Sequence, residues 1–220
     1  MTKHRVMGLL LALTIILSGA GPSIGKEAGD FMIRLRGIGM IPQESGTTDA
    51  IGGNASLDND FAPEVDFTYF LTDNIAFELI AAITKHDAAV KNTTLGRDVA
   101  LGDVRVLPPT LTLQYHFFTK EKISPYLGAG INYSVFFDDD IGNDPAVNKV
   151  DYTNGFGAAI QAGIDWQFHK NWSLNFDVKK IWIDTDISVN RGAINARDAE
   201  VNPLVIGFGI GYRFNTGWSK

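Results

Sequence analysis

The chain has 220 residues, a formal net charge of −6 and no cysteine. The acidic balance argues against a general nucleic-acid binder, so no nucleic-acid partner is expected. The absence of cysteine excludes disulfide bonds, thiolate metal sites, cysteine nucleophiles and a lipid anchor on an N-terminal cysteine.

The first 25 residues have the features of a secretory signal peptide. A short basic start containing Lys3 and Arg5 precedes the apolar run "VMGLLLALTIIL" (6–17), and Gly25 is a small residue just before the expected cleavage point. An apolar run of 12 residues is too short to span a bilayer well. We therefore expect a signal peptide over 1–25, a folded domain over 26–214 and a C-terminal tail over 215–220.

Strict alternation of apolar and polar residues dominates the rest of the chain and predicts β-strands. In chain order, the predicted strands cover 30–40, 63–72, 75–84, 107–118, 125–137, 155–168, 172–183 and 204–215. Short turns at 72–74, 119–124 and 169–171 alternate with long polar connections at about 41–62, 85–106, 138–154 and 184–202. This asymmetry is typical of outer-membrane barrels. The predicted fold is all-β: an eight-stranded antiparallel transmembrane β-barrel with short periplasmic turns and long extracellular loops.

Each predicted strand has one apolar face and one face with charged or small residues. A barrel wall in lipid must be apolar outside, so the charged faces are assigned to the lumen. Nine charged residues fall there: Arg34, Arg36, Glu64, Asp66, Glu78, Asp165, Asp177, Lys179 and Arg213. Four positive and five negative charges are nearly balanced, which predicts an ion-paired network. A soluble carrier would place the apolar faces inside, but they are too bulky for an eight-stranded interior.

The last strand, "LVIGFGIGYRFN" (204–215), alternates bulky apolar residues with glycine. The glycines fall on the inner face, where they leave space for large neighbouring side chains in a narrow barrel. A role in bending the strand explains the same pattern equally well.

Several segments together resemble the outer membrane protein W family: "GDFMIRLRGIGMIP" (29–42), "FTYFLTDNIAFELIAA" (67–82), "LPPTLTLQYHF" (107–117) and "NPLVIGFGIGYRF" (202–214). The resemblance implies an outer-membrane barrel of Gram-negative bacteria that passes small hydrophobic molecules inward through an apolar pocket opening sideways into the bilayer. Chains of this family usually stop at the terminal phenylalanine that the outer-membrane assembly machinery reads, whereas this chain continues to Lys220. Expected partners are outer-membrane lipid and lipopolysaccharide, small hydrophobic ligands and that assembly machinery.

Pro108 and Pro109 lie inside the fourth predicted strand and lack backbone N–H donors. They are interpreted as a lateral opening in the wall near the outer leaflet, with an ordinary strand start as the alternative. Four apolar residues assigned to the inner face near the loop end would line a hydrophobic pocket: Ile80, Ala82, Leu107 and Ile181, with Lys179 beside them. Plain packing of a narrow lumen is the alternative.

The sequence therefore favours a non-enzymatic, porin-like channel for small hydrophobic molecules. A plugged structural or adhesive barrel shares every feature above and stays open. A membrane-embedded lipid hydrolase using His116, Ser134 and Asp165 is a further alternative, although three polar lumen residues are a simpler interpretation. No cofactor or metal site is expected: "DDDIGND" (138–144) lacks the final glutamate of a calcium loop.

Overall fold

The computed structural model describes residues 25–45, 52–141, 147–190 and 194–216. Most of the predicted signal peptide and the last four residues of the tail lie outside this part of the chain, and so do the last three residues (142–144) of "DDDIGND". The described strands are β1 (Phe31–Ile41), β2 (Glu44–Ser45), β3 (Asn54–Leu57), β4 (Asp60–Phe70), β5 (Ile75–Ala82), β6 (Thr84–Lys91), β7 (Val99–Leu107), β8 (Thr110–His116), β9 (Ile123–Ile141), β10 (Val150–Tyr152), β11 (Gly155–His169), β12 (Trp172–Ile181), β13 (Asp184–Val189), β14 (Ile194–Val201) and β15 (Leu204–Phe214).

Eight of these strands close into a barrel. Their order around the wall is β1, β4, β5, β8, β9, β11, β12 and β15, and β15 pairs with β1 to complete the ring. Every neighbouring pair is antiparallel. The predicted eight-stranded antiparallel barrel is confirmed. In the described ranges, no helix has the length and apolar character needed to cross a membrane.

The long connections are largely regular strands that extend the barrel beyond its eight-stranded part. β6 and β7 continue β5 and β8, and β3 joins them, while β10, β13, β14 and β2 form a separate four-stranded sheet. Apolar side chains from both groups pack into one buried cluster, the extracellular core: Ala88, Val90, Val99, Leu101, Val147, Val150, Ile187 and Val189. β6 has only three apolar residues, all near its end, whereas β7 has six, interrupted by Gly102 and Asp103.

The two faces of the barrel wall differ as expected for a protein surrounded by lipid. Outward side chains are apolar yet well exposed, for example Leu35 at 55% and Phe208 at 59%. Two phenylalanine residues of the barrel strands face inward. Phe70 is fully buried, and Phe136 packs against buried lumen residues.

Candidate functional site

The lower lumen is filled by a layer of charged side chains, here called the charged floor. Its members come from inward positions of β1, β4, β5, β11 and β12, and each is at most 2% exposed: Arg34, Arg36, Glu64, Asp66, Glu78, Asp165, Asp177 and Lys179. Residues directly paired across antiparallel strands share a face, and here that face is the narrow interior. The folding of the wall therefore brings these charges together.

Arg34 ties opposite sides of the lumen together. Its Nη1 lies 3.0 Å from Oδ1 of Asp66 and 3.3 Å from Oε1 of Glu78. Its Nη2 lies 3.0 Å from Oδ2 of Asp165. Because Asp66 on β4 and Asp165 on β11 stand on strands that are not neighbours, the guanidinium spans the interior rather than lining one wall.

Arg36 and Lys179 extend the same network toward the loop end. The Nε of Arg36 lies 2.7 Å from Oε1 of Glu64, and its Nη2 lies 2.8 Å from Oδ2 of Asp66. The Nζ of Lys179 lies 2.6 Å from Oδ1 of Asp177 and 3.4 Å from Oε1 of Glu64. Lys179 is thus held by the floor's carboxylates and belongs to the floor, beneath the apolar residues it was grouped with.

Glycines on β15 make room for the two arginines. Gly209 pairs with Arg36, and a Cβ atom there would lie 2.1 Å from the carbonyl oxygen of Leu35. Gly211 pairs with Arg34, and a Cβ there would lie 3.0 Å from the arginine's Cγ. A larger residue at either position would displace the wall or the floor, which gives the alternating glycines a packing role.

Lys26 closes the periplasmic side of the floor, although it precedes the first strand. Its Nζ lies 2.8 Å from Oδ2 of Asp165, 2.9 Å from Oγ of Ser124 and 2.8 Å from Nδ1 of His116. Burial lowers the pKa of Lys26 to about 8; the charge of Asp165 opposes this shift, and that of Arg34 adds to it. Sequence alternation could not identify this residue, because it lies outside every strand.

Arg213, the ninth predicted lumen charge, is 3% exposed and lies at the same end. Its Nη1 is 2.9 Å from Oδ2 of Asp30, just before β1. The contact joins the last barrel strand to the chain segment that leads into the first. Beyond it, the hydroxyl of Thr216 donates to the carbonyl of Gly29 at 2.6 Å.

The charged floor blocks a straight path from the loop end to the periplasm. A solute moving that way must separate buried ion pairs, and losing one partner of such a pair costs about 3–5 kcal/mol. An apolar solute offers no hydrogen bonds in exchange. The direct route is therefore closed most strongly to hydrophobic molecules.

Above the floor lies a layer of apolar side chains, here called the apolar layer. Its buried members are at most 7% exposed: Ile38, Met40, Ala62, Ala82, Ala159, Ile181, Ile183 and Val205. Two of the predicted pocket residues, Ala82 and Ile181, belong to it. Ile80, at 3% exposure, points inward one step below.

Leu107 does not point inward, and its assignment to the inner face is wrong. It is half-buried and pairs with Val135, which lies between the inward-facing residues Ser134 and Phe136. Directly paired residues share a face. Strand alternation continues unbroken through the two prolines, so Leu107 lies on the outward face with Leu111.

The barrel wall is interrupted beside Leu107. The ladder between β5 and β8 ends at Ile80–Thr110, and the ladder between β6 and β7 begins at Thr84–Val106. Residues 81–83 and 107–109 face each other between these pairs without ladder pairing. The register is the same on both sides of the interruption. Residues 81–83 therefore stay opposite residues 107–109, and only the ladder hydrogen bonds between them are missing.

Pro108 and Pro109 contribute to this interruption unequally. Tyr133 donates its backbone N–H to the carbonyl of Pro109 at 3.0 Å, so Pro109 faces β9. Because successive residues of a strand turn their N–H and C=O groups to opposite neighbours, Pro108 faces β5 and β6. Pro108 has no N–H to donate there, and its carbonyl accepts the hydroxyl of Thr110 at 3.0 Å.

A further proline, Pro63, lies on the other side of segment 81–83. It stands first in the strand that the sequence predicts over 63–72. The ladder between β4 and β5 ends at Glu64–Ala82, and Pro63 is the next residue of β4. Ile83 lies between β5 and β6, is 54% exposed and has no ladder partner among the described strands. We call Pro63, Ile83 and Pro108 together the wall break. The signal for this break in the sequence was Pro63 itself, a residue without a backbone N–H within the alternating residues of β4.

The OmpW family model matches residues 27–214. The chain belongs to the OmpW family. It is 40% identical over 196 residues to an uncharacterized outer-membrane protein of Sinorhizobium fredii, covering 86% of this chain and 83% of that protein. It is 36% identical over 212 residues to outer membrane protein W of Escherichia coli, covering 93% and 96% of the two chains. The crystal structure of OprG from Pseudomonas aeruginosa is similar with a TM-score of 0.80 and 31% identity, covering 88% of this chain and 100% of that one.

These similarities confirm the family resemblance and the location in the outer membrane. They also match the fold, because the relatives named here are outer-membrane proteins. For this OmpW-family barrel, the long-loop end is therefore the extracellular end, and the end with Lys26 is periplasmic.

The geometry contradicts a hydrolase triad of His116, Ser134 and Asp165. His116 pairs with Tyr126, so Ser134 lies eight residues farther along β9, about 26 Å away at the usual rise of a strand. The Oγ of Ser134 donates to Oδ1 of Asn132 at 2.7 Å. The side chains of a triad must be in hydrogen-bond contact, and these are not.

Proposed function

We propose that this OmpW-family barrel admits small hydrophobic molecules from outside the cell and releases them sideways into the outer membrane at the wall break. One observation carries the proposal: a closed charged floor lies beneath an apolar layer, and the wall beside that layer lacks ladder bonds. The path is lateral because the other two boundaries of the layer, the intact wall and the floor, resist an apolar molecule more strongly.

The extracellular core supports the first step. It places a second apolar cluster above the apolar layer, so a hydrophobic molecule passing between the extracellular sheets meets apolar surface before it reaches the lumen. Burying apolar area against such surface is favourable. The apolar layer is itself packed, and a ligand has to displace its side chains. Met40, whose thioether chain is flexible, is suited to that adjustment.

The wall break supports the last step. Opening an intact antiparallel wall exposes backbone donors and acceptors to hydrocarbon, where each unsatisfied group costs several kcal/mol. At Pro108 the donor is already missing and the carbonyl is bonded to Thr110. Ala82, which stands opposite Pro108 by register, therefore has no ladder hydrogen bond to this residue to lose. Separation of the strands therefore costs less here than at a fully paired position.

The experiment compares two neighbouring prolines that face different strands. Pro108→Val supplies an N–H toward β5 and β6, whereas Pro109→Val supplies one toward β9, where the wall is already closed. A new hydrogen bond contributes about 1 kcal/mol, which lowers the open fraction of the wall roughly fivefold. We expect Pro108→Val to slow uptake of an apolar fluorescent probe by intact cells by about that factor. Pro109→Val should leave uptake near the wild-type rate.

Surface amounts of the variants are matched by immunoblot, and folding is checked by the mobility difference between boiled and unboiled samples. Equal uptake by the wild type and Pro108→Val, at equal surface amounts, contradicts the lateral route. Reduction by Pro109→Val alone contradicts the assignment of the break to the β5–β6 side.

A structural or adhesive barrel remains the second candidate, and the tight packing of the floor and the apolar layer favours it. In that case the wild type raises probe uptake no more than an empty vector does.

Recognition of the barrel's C-terminal strand by the outer-membrane assembly machinery also stays a proposal. Phe214, the last residue of β15, pairs with Phe31 of β1.

A further inference from the structure

A single lysine interrupts the apolar exterior of the barrel. On the described outward faces of the eight barrel strands, every side chain except that of Lys180 is uncharged. Lys180 follows Val178 on the outward face of β12 and precedes Trp182. A charge at such a position is costly unless its head reaches the polar boundary or meets an opposite charge.

Lys180 stands at the level of the outer leaflet. It lies eight residues above Trp172, which begins β12 at the periplasmic end. With a rise of about 3.3 Å per residue and a tilt of about 40°, that separation is roughly 20 Å along the membrane normal, near the top of an apolar band about 25 Å tall. Headgroups of outer-leaflet lipids begin at this height.

The ammonium group of Lys180 is directed toward that boundary. Its Nζ donates to Oε1 of Gln43 and to the carbonyl of Asn202. Gln43 follows the end of β1 and Asn202 precedes the start of β15, so both acceptors lie at the loop end of the barrel. Both acceptors are neutral. None of the carboxylates whose side chains the structure describes lies in salt-bridge range of Lys180, whereas the barrel's buried cations Lys26 and Lys179 each have one. Those side chains therefore leave the positive charge of Lys180 without an ionic partner.

An apolar groove lies directly beneath this charge. It has a volume of about 420 Å³, and its walls include Leu127, Ile160, Val178 and Leu204, with the small side chain of Ala162 between them. In the wall register, Ile160, Lys180 and Leu204 stand at one level. Ala162 and Val178 stand one outward step lower, so the groove extends from the lysine toward the membrane centre.

We propose that Lys180 and this groove bind the lipid A portion of lipopolysaccharide, with a phosphate on Nζ and an acyl chain along Ala162. A ligand here must combine an anionic group at headgroup height with hydrocarbon below it, and a phosphorylated lipid of the outer leaflet does so. The remaining donor of the ammonium supplies a charge-assisted hydrogen bond to the phosphate. This inference concerns the exterior of the wall and does not depend on the transport proposal.

The test measures lipid retained by the purified full chain in detergent, by native mass spectrometry with diphosphorylated lipid A. Four variants are compared with the wild type. Lys180→Gln removes the charge at the groove, and Lys180→Arg keeps it. Ala162→Phe fills the groove without changing the lysine, and Lys122→Gln, the control, removes an exposed lysine of a periplasmic turn. Mobility of unboiled samples verifies that each variant is folded.

We expect the wild type, Lys180→Arg and Lys122→Gln to retain one lipid A molecule. Lys180→Gln should retain about tenfold less, as expected for the loss of a charge-assisted hydrogen bond, and Ala162→Phe should also retain less. Dephosphorylated lipid A should be lost from the wild type. Unchanged retention by Lys180→Gln overturns the proposal, as does equal retention of the dephosphorylated lipid.

Two further probes separate other sources of phosphate. Phosphatidylglycerol retained as well as lipid A overturns the assignment to lipid A. Inorganic phosphate that displaces lipid A at equimolar concentration overturns the role of the groove, because the anion alone would then account for binding.

Discussion

At the scale of single residues, the position of each charge determines how the lower lumen is filled. Alternation alone predicted the inward direction of Arg34, Arg36 and their acidic partners, since a strand in lipid has only one side for them. It could not predict which carboxylate each arginine meets, because partners come from strands far apart in sequence. Lys26 was missed for a different reason: the residue enters the barrel from a segment without strand periodicity.

Lys26 should titrate well below ordinary lysines. Its pKa is lowered by burial from 10.5 to about 8, so the folded protein releases this proton earlier than the unfolded chain does. Between pH 8 and 10.5, the unfolded chain holds more protons, and this group's contribution to stability rises with pH across that window. A ¹³Cε titration, assigned with Lys26→Met, should give a midpoint near 8. A midpoint above pH 10 contradicts the buried position of the amine.

At the scale of elements, the alternation of inward and outward residues continues through the proline pair without a change of phase. Leu107 was assigned to the inner face, out of phase with Leu111 and Leu113 of the same predicted strand. The structure keeps one register from Ile80–Thr110 to Thr84–Val106, because neighbouring strands hold the segment in phase although proline removes bonds. The extracellular strands were missed because their alternation is irregular: Ala88 and Ala89 are adjacent in β6, and Gly102 and Asp103 interrupt the apolar positions of β7.

The charged floor joins five strands, and removing one shared carboxylate should weaken the barrel. Oε1 of Glu78 lies 3.3 Å from Arg34 and 3.2 Å from Arg36. Glu78→Gln leaves both cations with less compensation, and we expect the free energy of unfolding to fall by about 3 kcal/mol. Urea unfolding in lipid vesicles, followed by tryptophan fluorescence, measures this change. Glu121→Gln in an exposed turn is the control and should change little. Equal midpoints for the two variants contradict a structural role of the floor.

At the scale of the whole molecule, the charged floor fills the lower lumen, and the wall above it lacks ladder pairing at the wall break. The fold, the number of strands and the orientation followed from the sequence, since closure in lipid allows few alternatives. Only part of the wall break could be predicted from the sequence. Pro108 was found from its missing donor, but the contribution of Pro63 and the isolation of Ile83 depend on the pairing of three strands, which one sequence does not reveal.

A reversible cross-link across the wall break tests the central claim most directly. The chain has no cysteine, so an introduced pair reacts without competition. By register, Ile83 faces Leu107 on the outer surface at a pair that is not hydrogen-bonded, where Cα atoms are about 4.5 Å apart and a disulfide fits. Leu79 and Leu111 form an equivalent pair in the intact ladder below.

Uptake of the apolar probe is measured in cells carrying Ile83→Cys/Leu107→Cys or Leu79→Cys/Leu111→Cys, before and after reduction with dithiothreitol. The account predicts that the oxidised upper pair abolishes uptake, that reduction restores it, and that the lower pair has no effect in either state. Undiminished uptake with the upper disulfide fully formed contradicts lateral release.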